Sequence, residues 1–307
     1  MNATPLPAGS LRATSLNAGR RATDLAHAAD DELDVLVVGG GVTGTGAALD
    51  AAARGLSVAL VEAEDLAWGT SRWSSKLVHG GLRYLAHGEV RIARESAQER
   101  HVLMTRTAPH LVNTLPILLP LHERVSRSKE LLLFSGLHAG DALRRGSRTP
   151  SSVLPPPRRI PAAEAMALVP GVRSAGLRGG LLGFDGQLTD DARLVVALAR
   201  TAAGFGARVL TRVRARSLDH QGADVLDTRS GESFRLRART VINATGVWAG
   251  DLSPDVRLLP SRGSHLVVDA DAAGVAATAL LFPAPDDPRR FLFLLPQPDG
   301  RAYLGIT

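Results

Sequence analysis

The first residues in this chain equipped for chemistry are a run of glycines. Gly39-Gly40-Gly41-Val42-Thr43-Gly44 has the spacing G-x-G-x-x-G, and Glu62 stands 18 residues beyond Gly44. Residue types in that order suit a dinucleotide. Gly39 permits a tight turn, Gly41 lets the main chain approach a pyrophosphate, and Gly44 allows close packing of the segment that follows. A carboxylate at Glu62 accepts hydrogen bonds from ribose hydroxyls and repels a 2′-phosphate. Further on, His79, Arg83 and Tyr84 fall within six positions of one another, in a loop loosened by Gly80 and Gly81. An arginine fork grips anions and an imidazole titrates near neutral pH, so this group is equipped for anion binding and proton transfer. His265 offers a second imidazole. Each histidine also has a plain structural reading, as a group that hydrogen-bonds the backbone or orients a loop.

The elements that must position these residues are legible around them. Asp34-Val35-Leu36-Val37-Val38 is short and nearly all apolar, as expected of a buried parallel strand. The alanine-rich stretch from Gly46 to Arg54 reads as a tightly packed helix, with Gly55 at its C-terminal cap. Val58-Ala59-Leu60-Val61 is a second buried strand ending at Glu62, so the glycines and the acid lie in a βαβ unit. Asp190 to Gly206 reads as an amphipathic helix, and Thr240-Val241-Ile242-Asn243 as a further strand that stops at Ala244-Thr245-Gly246. The glycine fingerprint does not separate FAD from NAD. An apolar strand closing in A-T-G about 200 residues later favours the two-dinucleotide fold of flavoproteins.

Composition removes several alternatives. The net charge of +6 comes from scattered arginines, and with 4% aromatic residues few stacking platforms remain, so no nucleic-acid partner is expected. With no cysteine, thiolate metal sites and catalytic thiols are excluded, and no metal site is expected. No stretch reaches the roughly 18 to 20 apolar residues that a bilayer span requires. Residues 1–32 read as a disordered extension, and the Arg-, Ser- and Pro-rich segment 144–161 as an exposed linker.

The run Trp68-Gly69-Thr70-Ser71-Arg72-Trp73-Ser74-Ser75-Lys76-Leu77-Val78-His79-Gly80-Gly81-Leu82-Arg83-Tyr84-Leu85 resembles the signature of FAD-dependent glycerol-3-phosphate dehydrogenases. Phe184-Asp185-Gly186-Gln187-Leu188-Thr189-Asp190-Asp191-Ala192-Arg193-Leu194 and Arg262-Gly263-Ser264-His265-Leu266-Val267-Val268 resemble two later motifs of the same family, in family order. Arg72 and Trp73 depart from it, standing where the family usually has a small residue and a Ser, Ala or Arg. Val247 replaces a proline, and Arg262 a lysine. The family's S-G-x-R-P-L and G-G-K-x-T-T segments do not occur, so the resemblance is to a C-terminally incomplete member.

The resemblance implies an α/β fold. A doubly wound FAD-binding domain would span 33–106 and 186–252, interleaved with a substrate domain from 107–185 and 253–307. The antiparallel sheet of the latter would be cut short at Arg301 to Thr307 and left with an unpaired edge. It further implies FAD held by Gly39, Gly41, Gly44, Glu62, Thr70, Ser71, Ser75, Lys76, Val213, Ala244, Thr245 and Gly246. His79, Arg83, Tyr84 and His265 would act on glycerol 3-phosphate, giving dihydroxyacetone phosphate and passing electrons to a membrane quinone or another acceptor. A FAD-dependent amine or amino-acid oxidase of the same fold, or a truncated fragment unable to turn over, are the alternatives. The expected location is cytoplasmic, with peripheral attachment to the inner face of the cell membrane as a variant. Leu131-Leu132-Leu133-Phe134, beside Arg124, Arg127 and Lys129, reads as either a membrane-docking patch or a core helix, the latter being favoured.

Overall fold

The computed structural model describes residues 14–123, 125–284 and 290–306, without the side chains of Arg83 and Ala86. The chain runs through α1 (Ala18–Asp30), β1 (Glu32–Val38), α2 (Val42–Ala53), β2 (Val58–Glu62), β3 (Leu77–Val78), α3 (Leu82–Ala86), α4 (Val90–Val102), β4 (Val112–Pro120) and α5 (Arg127–Gly146). It continues with β5 (Arg158–Ile160), α6 (Ala162–Leu168), β6 (Gly180–Leu188), α7 (Asp191–Gly204), β7 (Arg208–Thr211), β8 (Val213–Asp219), β9 (Gly222–Asp227) and β10 (Ser233–Asn243). Last come α8 (Ala249–Leu252), β11 (Leu266–Asp269), β12 (Ala279–Pro283), β13 (Phe291–Pro296) and β14 (Arg301–Ile306).

Two compact units result, one ending at Ser74 and resuming over Asp190–Ser261, the other made of Ser75–Thr189 and Arg262–Thr307. The first holds a sheet in the order β7-β2-β1-β10-β9-β8, parallel from β7 to β10 and antiparallel beyond. β1 is apolar along most of its length because both of its faces are covered. Leu33, Leu36 and Val38 enter one core cluster, and Val35 and Val37 the other. The second cluster also takes Ala48, Ala51 and Ala52 of α2 and Ala199, Ala202 and Ala203 of α7, small residues that let both helices lie close to the strands.

Residues 18–30 are helical rather than disordered. Asn17 caps α1 by accepting from the Arg20 N–H, which satisfies one of the donors every helix start leaves open. Arg21 forks onto Asp227 at 2.8 and 3.1 Å, while Arg20 reaches the Ala203 carbonyl. Ala28 is fully buried against β1 and its neighbours. The arginines that suggested a loose basic tail are what fasten it. Residues 1–13 lie outside the described residues.

The second unit holds a sheet in the order β11-β14-β13-β12-β4-β6-β3, with β5 added to β6. It is antiparallel except where β12 runs parallel to β4. β14 is not the edge strand the sequence suggested. It pairs with β13 on one side and with β11 on the other, so Leu266–Asp269 forms the border instead. Segment 75–106, drawn from sequence with the first domain, belongs here: β3 pairs with β6 and α4 packs on α5. α5 begins under the Ser126 cap and extends to Gly146, absorbing the start of the segment read as a linker. Its apolar run divides: Leu133 and Phe134 pack onto Leu119, Leu121 and Leu181, while Leu131 and Leu132 are exposed. Arg124 lies outside the described residues. Among the described residues, no helix is long and apolar enough to cross a membrane.

Candidate functional site

In the first unit the glycine turn is built by exclusion. Gly39 has φ +113°, and a Cβ there would lie 2.4 Å from the Ala244 carbonyl oxygen. A Cβ on Gly44 would lie 1.9 Å from the Gly39 oxygen. β1 and β10 therefore end side by side, with α2 starting directly above them. Ala244 donates its N–H to the Val38 carbonyl, and Thr245 Oγ1 donates to Asn243 Oδ1 at 2.7 Å. Gly246 turns the chain away at φ +63°. Glu62, at the end of β2, accepts from the Gly40 N–H at 2.7 Å and from the Glu64 N–H at 2.8 Å. Its carboxylate thus braces the turn from beside it, and retains further lone pairs for hydroxyl donors.

The N-cap residue of α2 is Gly41, which has no side chain to cap the helix. Ser71 supplies one from the 70s loop, its Oγ accepting from the Val42 N–H at 2.9 Å. A hydroxyl oxygen thus sits at the positive end of the helix, where a phosphate oxygen is also favoured. Thr70 opens the same 3₁₀ turn, which runs to Arg72. The glycine-lined turn, the helix start and the braced acid fit the pyrophosphate and ribose of a dinucleotide. Val213 begins β8, fully buried between Arg212 and Arg214, both of which pair with Glu64.

Two of the departures from the family pattern, Arg72 and Trp73, form a stack with Trp68. The Arg72 guanidinium lies 4.4 Å from the Trp68 ring centre and 4.7 Å from that of Trp73. Trp73 is 69% exposed, so its bulk turns outward rather than into the loop. Trp248 packs close to Gly69, where a Cβ would lie 2.9 Å from its ring.

In the second unit the residues of interest form two groups. Gly305 faces Phe293 across β13 and β14, and a Cβ there would lie 2.7 Å from His265 Cδ2. That missing side chain is the slot for the His265 ring, which stacks on Tyr303 at 5.7 Å with an interplanar angle of 8°. Phe293 meets the ring edge-on at 5.5 Å. Burial first, and the nearby Lys76 ammonium second, hold the His265 imidazole below the usual histidine range. At neutral pH it is a neutral ring able to take a proton. Lys76 has φ +60° and places its ammonium 5.7 Å over the Tyr303 ring, so Lys76 and His265 share one aromatic partner. Ser75 precedes Lys76 in sequence and is half-buried.

The second group centres on Asp185 of β6. His79 Nδ1 lies 3.0 Å from Asp185 Oδ2, and Arg100 donates to Asp185 Oδ1 at 2.6 Å. The Gly186 N–H donates to the same Oδ1 at 3.0 Å. Arg100 is 6% exposed, and a Cβ on Gly80 would lie 2.1 Å from its Cζ. Gly81 takes φ +84° to start α3, which carries Arg83 and Tyr84. Tyr84 is exposed, and the Arg83 side chain lies outside the described residues. Sequence reasoning missed Arg100 and the part played by Asp185. Asp185 stood within a quoted motif, and a carboxylate inside a largely apolar strand was the available signal. Arg100 gave none, since a charged residue on a charged helix reads as solvated.

Comparison with known proteins agrees with this geometry. A family model described as FAD dependent oxidoreductase matches residues 34–307. Glycerol-3-phosphate dehydrogenase 1 of Mycobacterium tuberculosis is 57% identical over 294 residues, covering 95% of this chain and 57% of that protein. The aerobic glycerol-3-phosphate dehydrogenase of Staphylococcus saprophyticus is 35% identical, covering 91% of this chain and 50% of its own length. The chain thus spans about half the length of these curated relatives. Among solved structures, the glycerol-3-phosphate dehydrogenase of Bacillus halodurans complexed with FAD superposes with a TM-score of 0.69 at 26% identity, over 94% of this chain and 50% of that one. Glycine oxidase of Bacillus cereus shares the fold at a TM-score of 0.60 and 20% identity, over 90% of this chain and 71% of that one. With the glycine turn, Glu62 and the A-T-G strand end all in place, the chain belongs to the FAD dependent oxidoreductase family.

Proposed function

We propose that this chain carries the cofactor-binding part, and much of the substrate-handling part, of an enzyme that oxidises glycerol 3-phosphate to dihydroxyacetone phosphate. The observation that carries the reading is His265, a neutral imidazole in an aromatic slot beside Lys76, in a chain more than half identical to a protein named for that activity. Gly39, Gly41, Gly44, Glu62, Ser71 and the Ala244-Thr245-Gly246 turn would hold FAD, with Thr70, Ser75, Lys76 and Val213 as further contacts. Bound FAD supplies a hydride acceptor. The chain's own residues supply the rest. His265 takes the proton of the substrate 2-hydroxyl. Arg83 and Tyr84, together at the start of α3, meet the phosphate, for which a guanidinium fork is well shaped. His79, held at its Nδ1 by Asp185, stands five residues before Tyr84 on the same loop. Electrons then pass to an acceptor, for which a membrane quinone is our choice, with the protein cytoplasmic or held peripherally at the inner face of the membrane.

The test is anaerobic bleaching of bound flavin, in this chain and in a version extended to the length of its curated relatives. Glycerol 3-phosphate should bleach the extended protein, while glycine, proline and simple amines should not. Bleaching by an amino acid and not by glycerol 3-phosphate would move the assignment to the amine-oxidising branch of the fold. Arg83→Ala should lower kcat/KM about 10- to 150-fold, the loss of a charged hydrogen bond of roughly 1.5–3 kcal/mol, without lowering FAD content.

A further inference from the structure

We propose that Asp185, pinned by Arg100, is a positioning residue that fixes the tautomer of His79. Through it the ring carries its proton on Nδ1, and Nε2 becomes the nitrogen that accepts. The inference rests on the substrate-site reading above for its kinetic consequence, and on geometry alone for its structural content.

The two oxygens of Asp185 have different neighbours. Oδ1 receives two donors, Arg100 at 2.6 Å and the Gly186 N–H at 3.0 Å. Oδ2 faces His79 Nδ1 at 3.0 Å. A carboxylate oxygen accepts and cannot donate, so a neutral His79 makes this contact only as the Nδ1–H tautomer. Arg100 cannot easily rotate out of its role. Its side chain is 7% exposed, and its guanidinium fills the space that a Cβ on Gly80, next to His79 itself, would need. Any side chain at Gly80 would displace it. The glycine, the arginine and the aspartate thus form one bracket, built from α4, β6 and the loop before α3, and its output is the orientation of one imidazole. With His265 as the base, His79 is left to offer Nε2 as a hydrogen-bond acceptor to the substrate, and Asp185 orients that ring as the carboxylate of a triad orients its imidazole.

The same asymmetry provides a clean perturbation. In Asp185→Asn the two donors on Oδ1 require the amide oxygen to remain there, which turns the NH2 toward His79. A donor now faces Nδ1, so the ring must place its proton on Nε2. Shape is preserved and the tautomer is inverted. The experiment uses the 307-residue chain with 15N-labelled histidine, His79 signals being assigned by their loss in His79→Gln. Spectra are taken at about pH 9, alkaline enough for a neutral imidazole. The parent should show a protonated Nδ1 and an unprotonated Nε2 at His79, and Asp185→Asn the reverse. Because the variant loses the buried charge partner of Arg100 it should melt lower, so a retained cooperative transition and native circular dichroism are the check on folding. A parent that shows Nε2–H, or a ring averaging between tautomers, overturns the inference. The second arm measures turnover in the extended protein. Asp185→Asn should lower kcat about 10- to 100-fold with FAD content and KM little changed. A flipped tautomer with full kcat would overturn the positioning role while leaving glycerol 3-phosphate oxidation intact. Absence of that oxidation in the parent would count against the function proposed above and leave the spectroscopic result standing.

Discussion

The glycine turn of the first unit and the histidine groups of the second are put together in opposite ways. The turn is almost all backbone: its shape comes from atoms that are missing, at Gly39 and Gly44, and from two N–H groups gathered by Glu62. The histidine groups are side chains held by other side chains, with Asp185 between His79 and Arg100, and His265 between Tyr303 and Phe293. A site made by exclusion tolerates almost nothing at its centre and little depends on charge. A site made of paired side chains should degrade by steps, and should respond to pH.

The largest effect should come from Gly44→Ala, whose methyl would lie 1.9 Å from a backbone oxygen that cannot move without β1. A loss of about 3 kcal/mol or more is expected, seen as a lower urea midpoint and loss of FAD binding. Gly46→Ala, one turn of thought away in sequence, is its control: nothing lies within 4 Å of a Cβ there, and the change should stabilise α2 by about 0.5–1 kcal/mol. If both changes cost the same, steric exclusion is not what makes the turn. Next, Glu62→Ala leaves the Gly40 and Glu64 N–H groups without their acceptor and should weaken FAD binding by roughly 1–3 kcal/mol. Equilibrium flavin titration reads it directly, and an unchanged Kd would mean that the brace is ornamental.

Gly80→Ala tests the other construction. The methyl meets the end of a side chain rather than backbone, so Arg100 shifts and the cost should be about 1–2 kcal/mol. His79 should lose its Nδ1–H signature while flavin affinity holds. The smallest effect is that of pH at His265. Because burial holds this imidazole below the ordinary value, protonation favours the unfolded chain. Its contribution to stability is whole above about pH 6.5 and is lost as pH falls through the lower folded value. Urea midpoints of the parent should therefore fall more steeply than those of His265→Gln between about pH 7 and 5. Parallel curves would show that the ring is solvated.

What sequence could reveal follows the same division. The turn is local, and its rules act between neighbours or through a recognisable strand end, so the grouping of Gly39, Gly44, Glu62 and Ala244 at one turn could be read from sequence. Arg100 and Asp185 meet across 85 residues of chain, and nothing near either announces the other. The helix Ala18–Asp30 was misread because its contacts are arginines reaching distant carbonyls and Asp227, a pattern that in sequence is indistinguishable from a basic tail. The edge of the second sheet was misplaced for a related reason. Leu266–Asp269 was quoted for its motif, and strand partnership with Ala302 and Tyr303 is not written in either segment.

The stack of Trp68, Arg72 and Trp73 has a use outside catalysis. Together with Trp248 these are all three tryptophans of the chain, and all belong to the first unit, whereas its only two tyrosines, Tyr84 and Tyr303, belong to the second. Emission excited at the red edge of the tryptophan band therefore reports on one unit alone, and far-ultraviolet dichroism on both. If the two units melt together, the two signals trace a single curve. If the second unit opens first, dichroism falls while tryptophan emission stays native, and the order in which this protein comes apart can be read without adding a label.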